Sequence, residues 1–130
     1  MKNPNASLRL DDQLCFALYA ATNAITRAYR APLAEIGLTY PQYLVMLALW
    51  EHGMQSVKGL ADRLDLDSST LTPLLKRLAA AGLITRGRDA DDERVVRIGL
   101  TAQGAALQEP ASRIQAHVAC RTRLSEDRFV

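Results

Sequence analysis

The spacing of apolar residues predicts helices along most of this chain. The first segment, from Asp11 to about Arg30, lacks Gly and Pro. One apolar stripe recurs along it at three- and four-residue steps, formed by Leu14, Leu18, Ala21, Ile25 and Ala28. This periodicity is typical of one face of a long amphipathic helix. Pro32 and then Gly37 are expected to kink or end that helix.

Two shorter helices are predicted in the next part of the chain. Thr39 can cap a second helix, with Pro41 near its first turn, and Gly53 closes it. A third helix runs from about Ser56 to Leu64 and is followed by a tight turn. Together they predict a compact helical segment before the next apolar stripe.

A fourth helix is predicted to end at Ala80, before the stop signal Gly82. Its core face carries leucines at helical spacing, namely Leu71, Leu74, Leu75 and Leu78. Pro73 lacks the amide N–H that an interior position donates, so we expect the cap at Ser69 or Thr70, with the proline in the first turn.

The periodicity then changes from helical to alternating. Residues 83–86 and 94–100 are predicted as two strands, joined by a charged hairpin tip at 87–93. A last helix is expected from Thr101 or Ala102 towards Arg123, with Pro110 as a kink, and a further helix start at 125–127. The predicted fold is therefore mostly α with a small two-stranded β-wing: a winged helix-turn-helix at about 39–100, flanked by helices at 8–36 and 101–130.

The composition excludes some classes of binding partner but does not identify the partner. The chain has 130 residues, with 16 basic and 14 acidic side chains and a formal charge of +2, which excludes histone-like tails and acidic disordered chains. One domain is expected from this length. No apolar run approaches the roughly 20 residues of a membrane span, and the first residues lack a secretory core. We therefore expect a cytoplasmic protein without a membrane partner.

The polar face of the fourth helix is suited to DNA. Short hydroxyl side chains precede cations on it: Ser68, Ser69, Thr72, Lys76 and Arg77. Such a helix can enter a major groove with its first turns while its cations meet phosphates. A solvated helix face would explain the two cations equally well, but it explains the Ser/Thr cluster less well.

The predicted hairpin offers a second DNA-facing element. It carries arginines among acids: Arg86, Arg88, Arg94 and Arg97 beside Asp89, Asp91, Asp92 and Glu93. An arginine held by a neighbouring carboxylate at a ribbon tip can enter a narrow minor groove. Without the helix pair before it, this hairpin would be read as an ordinary charged turn.

The two cysteines, Cys15 and Cys120, are expected to be thiols in a reducing compartment. Their spacing alone favours two small buried hydrophobic residues. With only His52 and His117 and no close Cys/His cluster, the sequence predicts no metal site and no cofactor.

Several strings resemble the MarR family of bacterial winged-helix regulators, and more closely its organic-hydroperoxide-resistance branch, OhrR, of the two-cysteine type. The resemblance covers residues 8 to 123. The broad family is matched by residues 66–78, by Gly82-Leu83-Ile84 and by Asp92-Glu93-Arg94 running on to Leu100-Thr101. The branch is matched by Leu14-Cys15-Phe16-Ala17-Leu18-Tyr19 and by residues 38–46, which include Tyr40-Pro41-Gln42-Tyr43.

The resemblance implies a homodimeric repressor and not an enzyme. Its winged helix-turn-helix would bind a pseudo-palindromic operator in double-stranded DNA, and the flanking helices would form the dimer. An organic hydroperoxide would oxidise Cys15 to a sulfenic acid, and Cys120 would condense with it as an intersubunit disulfide. The tyrosines matching Tyr29 and Tyr40 would hydrogen-bond to the Cys15 sulfur from the other subunit. Phenol hydroxyls that donate to sulfur favour the nucleophilic thiolate.

The spacing of Cys15 and Tyr29 gives an independent reason to expect a dimer. They lie on nearly the same face of one helix but about 21 Å apart along it, so they cannot touch within one chain. If two copies of the helix cross antiparallel near Thr22, Cys15 of one chain falls beside Tyr29 of its mate.

The family match assigns DNA contacts to two groups of residues. On the fourth helix they are Ser68, Ser69, Thr70, Thr72, Lys76 and Arg77. On the wing Arg94 would enter the minor groove with Asp92 orienting it, and Arg86 joins them as a candidate. The chain departs from the branch at Ser69, where Gly is frequent, and it stops where the family usually has a full last helix.

Two other functions stay open from the sequence. One is a family member released from DNA by a non-covalently bound aromatic acid. The other is a thiol peroxidase that uses Cys15 and Cys120 catalytically.

Overall fold

The computed structural model describes residues 8–122, most of which are helical. A short 3₁₀ turn at Leu10–Asp12 precedes the first helix. The helices are α1 (Leu14–Glu35), α2 (Tyr40–His52), α3 (Val57–Leu64), α4 (Ser68–Ala80), α5 (Ala102–Ala106) and α6 (Gln108–Thr122), and the strands are β1 (Gln55–Ser56), β2 (Ile84–Arg88) and β3 (Val96–Leu100). Within residues 8–122, no helix has the length and apolarity to cross a membrane. The helix start predicted at 125–127 lies outside the described residues.

The predicted winged helix-turn-helix is confirmed, with one more strand than expected. In the described part of the chain β3 is central, and β1 and β2 pair with it antiparallel. The register places Ile84 opposite Leu100 and Arg88 opposite Val96. Strand β2 ends two residues later, and β3 begins two residues later, than the alternation predicts, so the hairpin tip keeps its length but lies at 89–95.

The core forms where α2, α3, α4 and the sheet meet. Its largest fully buried side chains include Met46, Leu49, Leu60, Leu71, Leu75, Leu78 and Ile98. Three of the four leucines predicted for the core face of the fourth helix are buried, and Leu74 is half-buried. Burial of each such side chain stabilises the fold by roughly 1.5–3 kcal/mol, which fixes α4 against the domain.

The start of α2 follows the sequence closely. Thr39 caps it: the Gln42 N–H donates to the Thr39 hydroxyl (3.3 Å), and the Thr39 N–H donates to the Gln42 side chain (2.9 Å). Gly53 follows the helix with a φ of 72°, a conformation that glycine adopts readily. The predicted bounds of the second helix are therefore confirmed.

Helix α1 starts later than predicted, and of the two predicted stop signals Gly37, with a φ of 78°, follows its end. Asp11 and Asp12 belong to the 3₁₀ turn, and extended backbone at Gln13 delays the helix until Leu14. The helix also continues through Pro32 to Glu35, because a proline near the end of a long helix removes only one hydrogen bond.

The apolar stripe of α1 is not part of this chain's own core. Leu14, Leu18, Ala21 and Ile25 are exposed, and Ala28 is only half-buried. The α1 residues that are at least half-buried include Phe16, Asn23, Thr26, Tyr29 and Leu33. Periodicity detected the stripe correctly, but within this chain the stripe faces outward.

The prediction for the cap of α4 is wrong. The helix begins at Ser68 after Asp67, whose carbonyl accepts from the N–H groups of Thr70 (3.1 Å) and Leu71 (3.0 Å). Pro73 therefore lies inside the helix and not in its first turn. The leucines packed in the core hold this helix despite the lost donor.

The last predicted helix is divided in two. The break falls at Leu107, before Pro110, which stands in the first turn of α6, where a missing N–H is tolerated. At the start of α5 the Thr101 hydroxyl donates to the Gly82 carbonyl (2.6 Å), and the Gly104 N–H donates to the Thr101 hydroxyl (3.0 Å). A Cβ at Gly104 would overlap the Leu83 carbonyl oxygen, so α5 packs directly on the corner between α4 and β2.

Candidate functional site

Helix α4 presents a polar face at the surface of the domain. Ser68, Ser69 and Thr70 are exposed in its first turn, and Lys76 and Arg77 are exposed further along. Thr72 is half-buried, and its hydroxyl donates to the Ser68 carbonyl (2.7 Å), which leaves its lone pairs for other contacts. The predicted groups thus share one accessible face.

The wing pairs Asp92 with Arg94. The Asp92 Oδ1 accepts from the Arg94 backbone N–H (3.1 Å) and from its Nε–H (3.2 Å), and Oδ2 lies 3.5 Å from Nη2. These hydrogen bonds hold the pKa of Asp92 below its ordinary value. The Arg94 side chain is 91% exposed, so the carboxylate orients a guanidinium that projects into solvent.

Hydrogen bonds and an ion pair also connect other residues of the hairpin to one another. Arg88 donates to the Glu93 carbonyl (2.7 Å), and Arg97 Nε lies 3.5 Å from Asp89 Oδ1. The Asp89 N–H donates to the Val95 carbonyl (2.8 Å), which closes the tip. Arg86 is exposed on β2. The wing therefore presents several cations on a ribbon with defined geometry.

Both cysteines are free and exposed, so their interpretation as buried hydrophobic residues is wrong. Cys15 is the second residue of α1, closer to the helix start than predicted. Its neighbours Leu14 and Leu18 are 75% and 60% exposed. The helix separates Cys15 from Tyr29 by about 21 Å, and one chain does not bring them together.

The two predicted tyrosines do meet, in a cluster with two more aromatic residues. The ring centroids of Tyr29 and Tyr40 are 5.4 Å apart. Tyr43 lies 5.3 Å from Tyr29 and 6.1 Å from Tyr40, and its other side meets Trp50 edge-on at 6.5 Å. The sequence interpretation assigned Tyr43 no role, although the three-residue spacing from Tyr40 puts both on one face of α2.

Burial raises the pKa of two phenols in this cluster, those of Tyr40 and Tyr43. Burial, and secondarily the nearby Tyr29, raise the pKa of Tyr40. The pKa of Tyr43 is raised further by burial, by the neighbouring tyrosines and by a hydrogen bond with Tyr29. A protonated phenol can donate a hydrogen bond, so the cluster is a source of O–H donors at neutral pH.

A cleft of about 310 Å³ lies between α2 and α6, beside this cluster. Tyr43, Leu47 and Trp50 line one side, and Ala111 and Ser112 line the other. Glu51 is the charged residue of its lining. Across residues 8–122, no group of three or more His, Cys, Asp or Glu side chains is placed to hold a metal ion.

Comparison with known proteins agrees with this geometry. The model of the MarR family matches residues 38–96. The organic hydroperoxide resistance transcriptional regulator of Bacillus subtilis is 50% identical over 111 residues, which are 85% of this chain and 76% of that protein.

Solved structures are similar at the level of the fold as well. Reduced AbfR bound to DNA is 40% identical, covers 85% of this chain and 83% of its own, and has a TM-score of 0.80. AbfR with its disulfide formed is 39% identical, covers 86% and 77%, and has a TM-score of 0.68. AbfR is a protein of Staphylococcus epidermidis. Half of the 111 aligned residues are identical to those of a regulator that the chain matches over three-quarters of its length, so the chain belongs to the MarR family of transcriptional regulators.

Proposed function

We propose that the chain acts as a homodimeric DNA-binding repressor that senses organic hydroperoxides through Cys15 and then releases its operator. The observation that carries the proposal is the exposed stripe of α1, with Cys15 near one end and the tyrosine cluster at the other. A second copy of α1 crossing antiparallel would cover the stripe. It would also bring each sulfur to the partner's phenols.

The DNA-binding part of the proposal is supported by α4 and the wing. Hydroxyls at the exposed start of α4 fit base edges in a major groove, and Lys76 and Arg77 fit phosphates. Arg94, oriented by Asp92, fits a minor groove. The similar AbfR has been solved on DNA in its reduced form.

The chemical step needs one peroxide and no cofactor. The Cys15 thiolate attacks the distal peroxide oxygen, an S–O bond forms while the O–O bond breaks, and the alkoxide leaves as an alcohol after protonation. Cys120 then attacks the sulfenic sulfur and releases water, which leaves an intersubunit disulfide. Both cysteines are free and not joined in a disulfide, as each attack requires.

The reduced and disulfide forms of AbfR support a change of shape on disulfide formation, since the overoxidized form bound to DNA keeps the TM-score of 0.80. Their identities to this chain are nearly equal, 40% and 39%, yet the TM-score falls from 0.80 for the reduced DNA-bound form to 0.68 for the disulfide form. The present structure therefore resembles the reduced, DNA-bound form more than the disulfide form.

The aromatic-acid alternative receives less support. The cleft between α2 and α6 is lined by aromatic rings, but its charged residue is Glu51, which repels a carboxylate. The thiol-peroxidase alternative receives no support from the relatives, which are named as regulators.

The decisive experiment titrates cumene hydroperoxide against the reduced protein on an operator duplex selected from random DNA. Equimolar peroxide should abolish the mobility shift, and dithiothreitol should restore it. Cys15→Ser should bind the duplex and stay bound after oxidation. Release of the Cys15→Ser protein by peroxide would show that the sensor is elsewhere.

A second variant separates sensing from disulfide formation. Cys120→Ser should still form a sulfenic acid at Cys15, which a dimedone probe detects by mass spectrometry. It should give no covalent dimer on a non-reducing gel, because the resolving thiol is missing. A covalent dimer that persists in this variant would contradict the role of Cys120.

A further inference from the structure

Trp50 connects the tyrosine cluster to the backbone of α5. Its ring meets Tyr43 edge-on, with centroids 6.5 Å apart, and Tyr43 in turn contacts Tyr29 and Tyr40. Tyr43 is only 3% exposed, so it has little room to move without displacing its neighbours. A change of packing at the tyrosines therefore reaches Trp50 directly.

The indole N–H of Trp50 binds the backbone next to the break between α5 and α6. The indole N–H donates to the Gly104 carbonyl (3.0 Å), which also accepts from the Leu107 N–H at a longer 3.3 Å. In a continuous helix this carbonyl would accept from the N–H of Gln108. The indole thus binds the backbone at the point where the helix is divided.

The same residue of α5 is fixed to the end of α4. The Gly104 N–H donates to the Thr101 hydroxyl, which donates to the Gly82 carbonyl, and the Thr101 N–H donates to the Leu83 carbonyl (3.2 Å). The Gly104 backbone packs so closely on Leu83 that a Cβ would not fit. A displacement at Gly104 is therefore passed to the corner that joins α4 to the wing.

We propose that Trp50 is the positioning residue that transmits a rearrangement of the tyrosine cluster to the α4–β2 corner through the Gly104 carbonyl. The trigger, oxidation at Cys15, rests on the proposed function. The connection itself depends only on contacts within one chain. It gives the aromatic residue at the α2–α6 cleft a role in coupling the tyrosine cluster to the α4–β2 corner.

The first test compares Trp50→Phe with wild type for operator affinity before and after peroxide. The variant keeps an aromatic ring but loses the N–H donor. It should bind the operator when reduced and form the sulfenic acid at the wild-type rate, while the loss of affinity on oxidation shrinks about tenfold. Leu47→Ala, which trims the same cleft and leaves the indole in place, should release DNA like wild type. Wild-type release by Trp50→Phe would overturn the proposal.

The second test needs no substitution at Trp50. It is the sole tryptophan of the chain, so its fluorescence reports on this position alone. Oxidation of the wild type should change its emission, and oxidation of Cys15→Ser should not. Release of DNA with unchanged Trp50 emission would overturn the role of Trp50 and leave the proposed function intact.

If the oxidised wild type stays bound to DNA, only the proposed function is refuted. A third measurement then still tests the role of Trp50. Tyr43→Leu should raise hydrogen exchange of the amides at 101–107, and the increase should disappear in the Trp50→Phe background. Amides of α3 serve as the control for general destabilisation. Equal increases in both backgrounds would contradict transmission through Trp50.

Discussion

At the scale of single residues, the pairing of Asp92 with Arg94 defines the wing. Arginine on a flexible stem loses side-chain entropy when it is fixed on DNA, and the carboxylate reduces that loss by holding the guanidinium beforehand. The position of Asp92 two residues before Arg94 also lets it accept the Arg94 backbone N–H. The side chain and the turn are therefore fixed together.

Asp92→Asn should weaken operator binding about two- to fivefold, because the amide keeps the shape but loses the charge that orients Arg94. Arg94→Ala should weaken operator binding about tenfold or more, since it removes the group that enters the groove. Fluorescence anisotropy with a labelled operator measures both. Asp91→Asn removes the neighbouring exposed carboxylate and is the matched control, because net charge alone would strengthen DNA binding in both variants. An equal loss of affinity in Asp91→Asn would contradict a specific role for Asp92.

The pairing also has a defined pH dependence. Because Arg94 lowers the pKa of Asp92, the contribution of the pair is complete above the ordinary aspartate pKa of about 3.9 and is lost as pH falls through the lower native value. An NMR titration of the Arg94 Nε–H should therefore show no change between pH 8 and about pH 5. A midpoint at or above the ordinary value would contradict the pairing in solution.

At the scale of elements, the junction of α5 with the α4–β2 corner depends on a glycine. Gly104→Ala should lower the free energy of unfolding by about 1–3 kcal/mol, because the new methyl group overlaps the Leu83 carbonyl. Urea unfolding measures this loss. Gly87→Ala on β2, where nothing lies within 4 Å of an added Cβ, should change stability by less than about 0.5 kcal/mol.

The sequence predicted elements well where local chemistry decides them. Thr39 and Gly53 bound α2 as expected, because capping and left-handed backbone are properties of single residues. It failed at Pro73, where burial of Leu71 and Leu75 outweighs the cost of an interior proline. The strand β1 was missed because two residues, Gln55 and Ser56, carry no periodicity of their own.

Only part of the candidate site could be predicted from the sequence, because sequence patterns detect contacts between neighbouring residues and not those between separate elements. The charges of Asp92 and Arg94 are neighbours in the chain, so their contact follows from spacing. The packing of Tyr43 on Trp50 and the bond from Trp50 to Gly104 join separate elements, which a single sequence does not reveal. Periodicity likewise finds the stripe of α1 without saying what covers it.

At the scale of the whole molecule, the exposed stripe of α1 predicts the assembly state. Leu18→Glu should convert the proposed dimer to a monomer in analytical ultracentrifugation and abolish tight operator binding, because a buried carboxylate without a partner is costly. Ala20→Glu lies about 160° around the helix from Leu18 and should leave the dimer intact. A dimeric Leu18→Glu protein would show that another surface holds the two copies.

The length of α1 has a genetic consequence. Since about 21 Å of helix separates Cys15 from Tyr29, each sulfur would be served only by the mate's phenol. When either variant is expressed by itself, neither the Cys15→Ser chain nor the Tyr29→Phe chain would respond to peroxide. Expressed together, their mixed pairs would regain one intact sensor, so that two loss-of-function alleles complement each other.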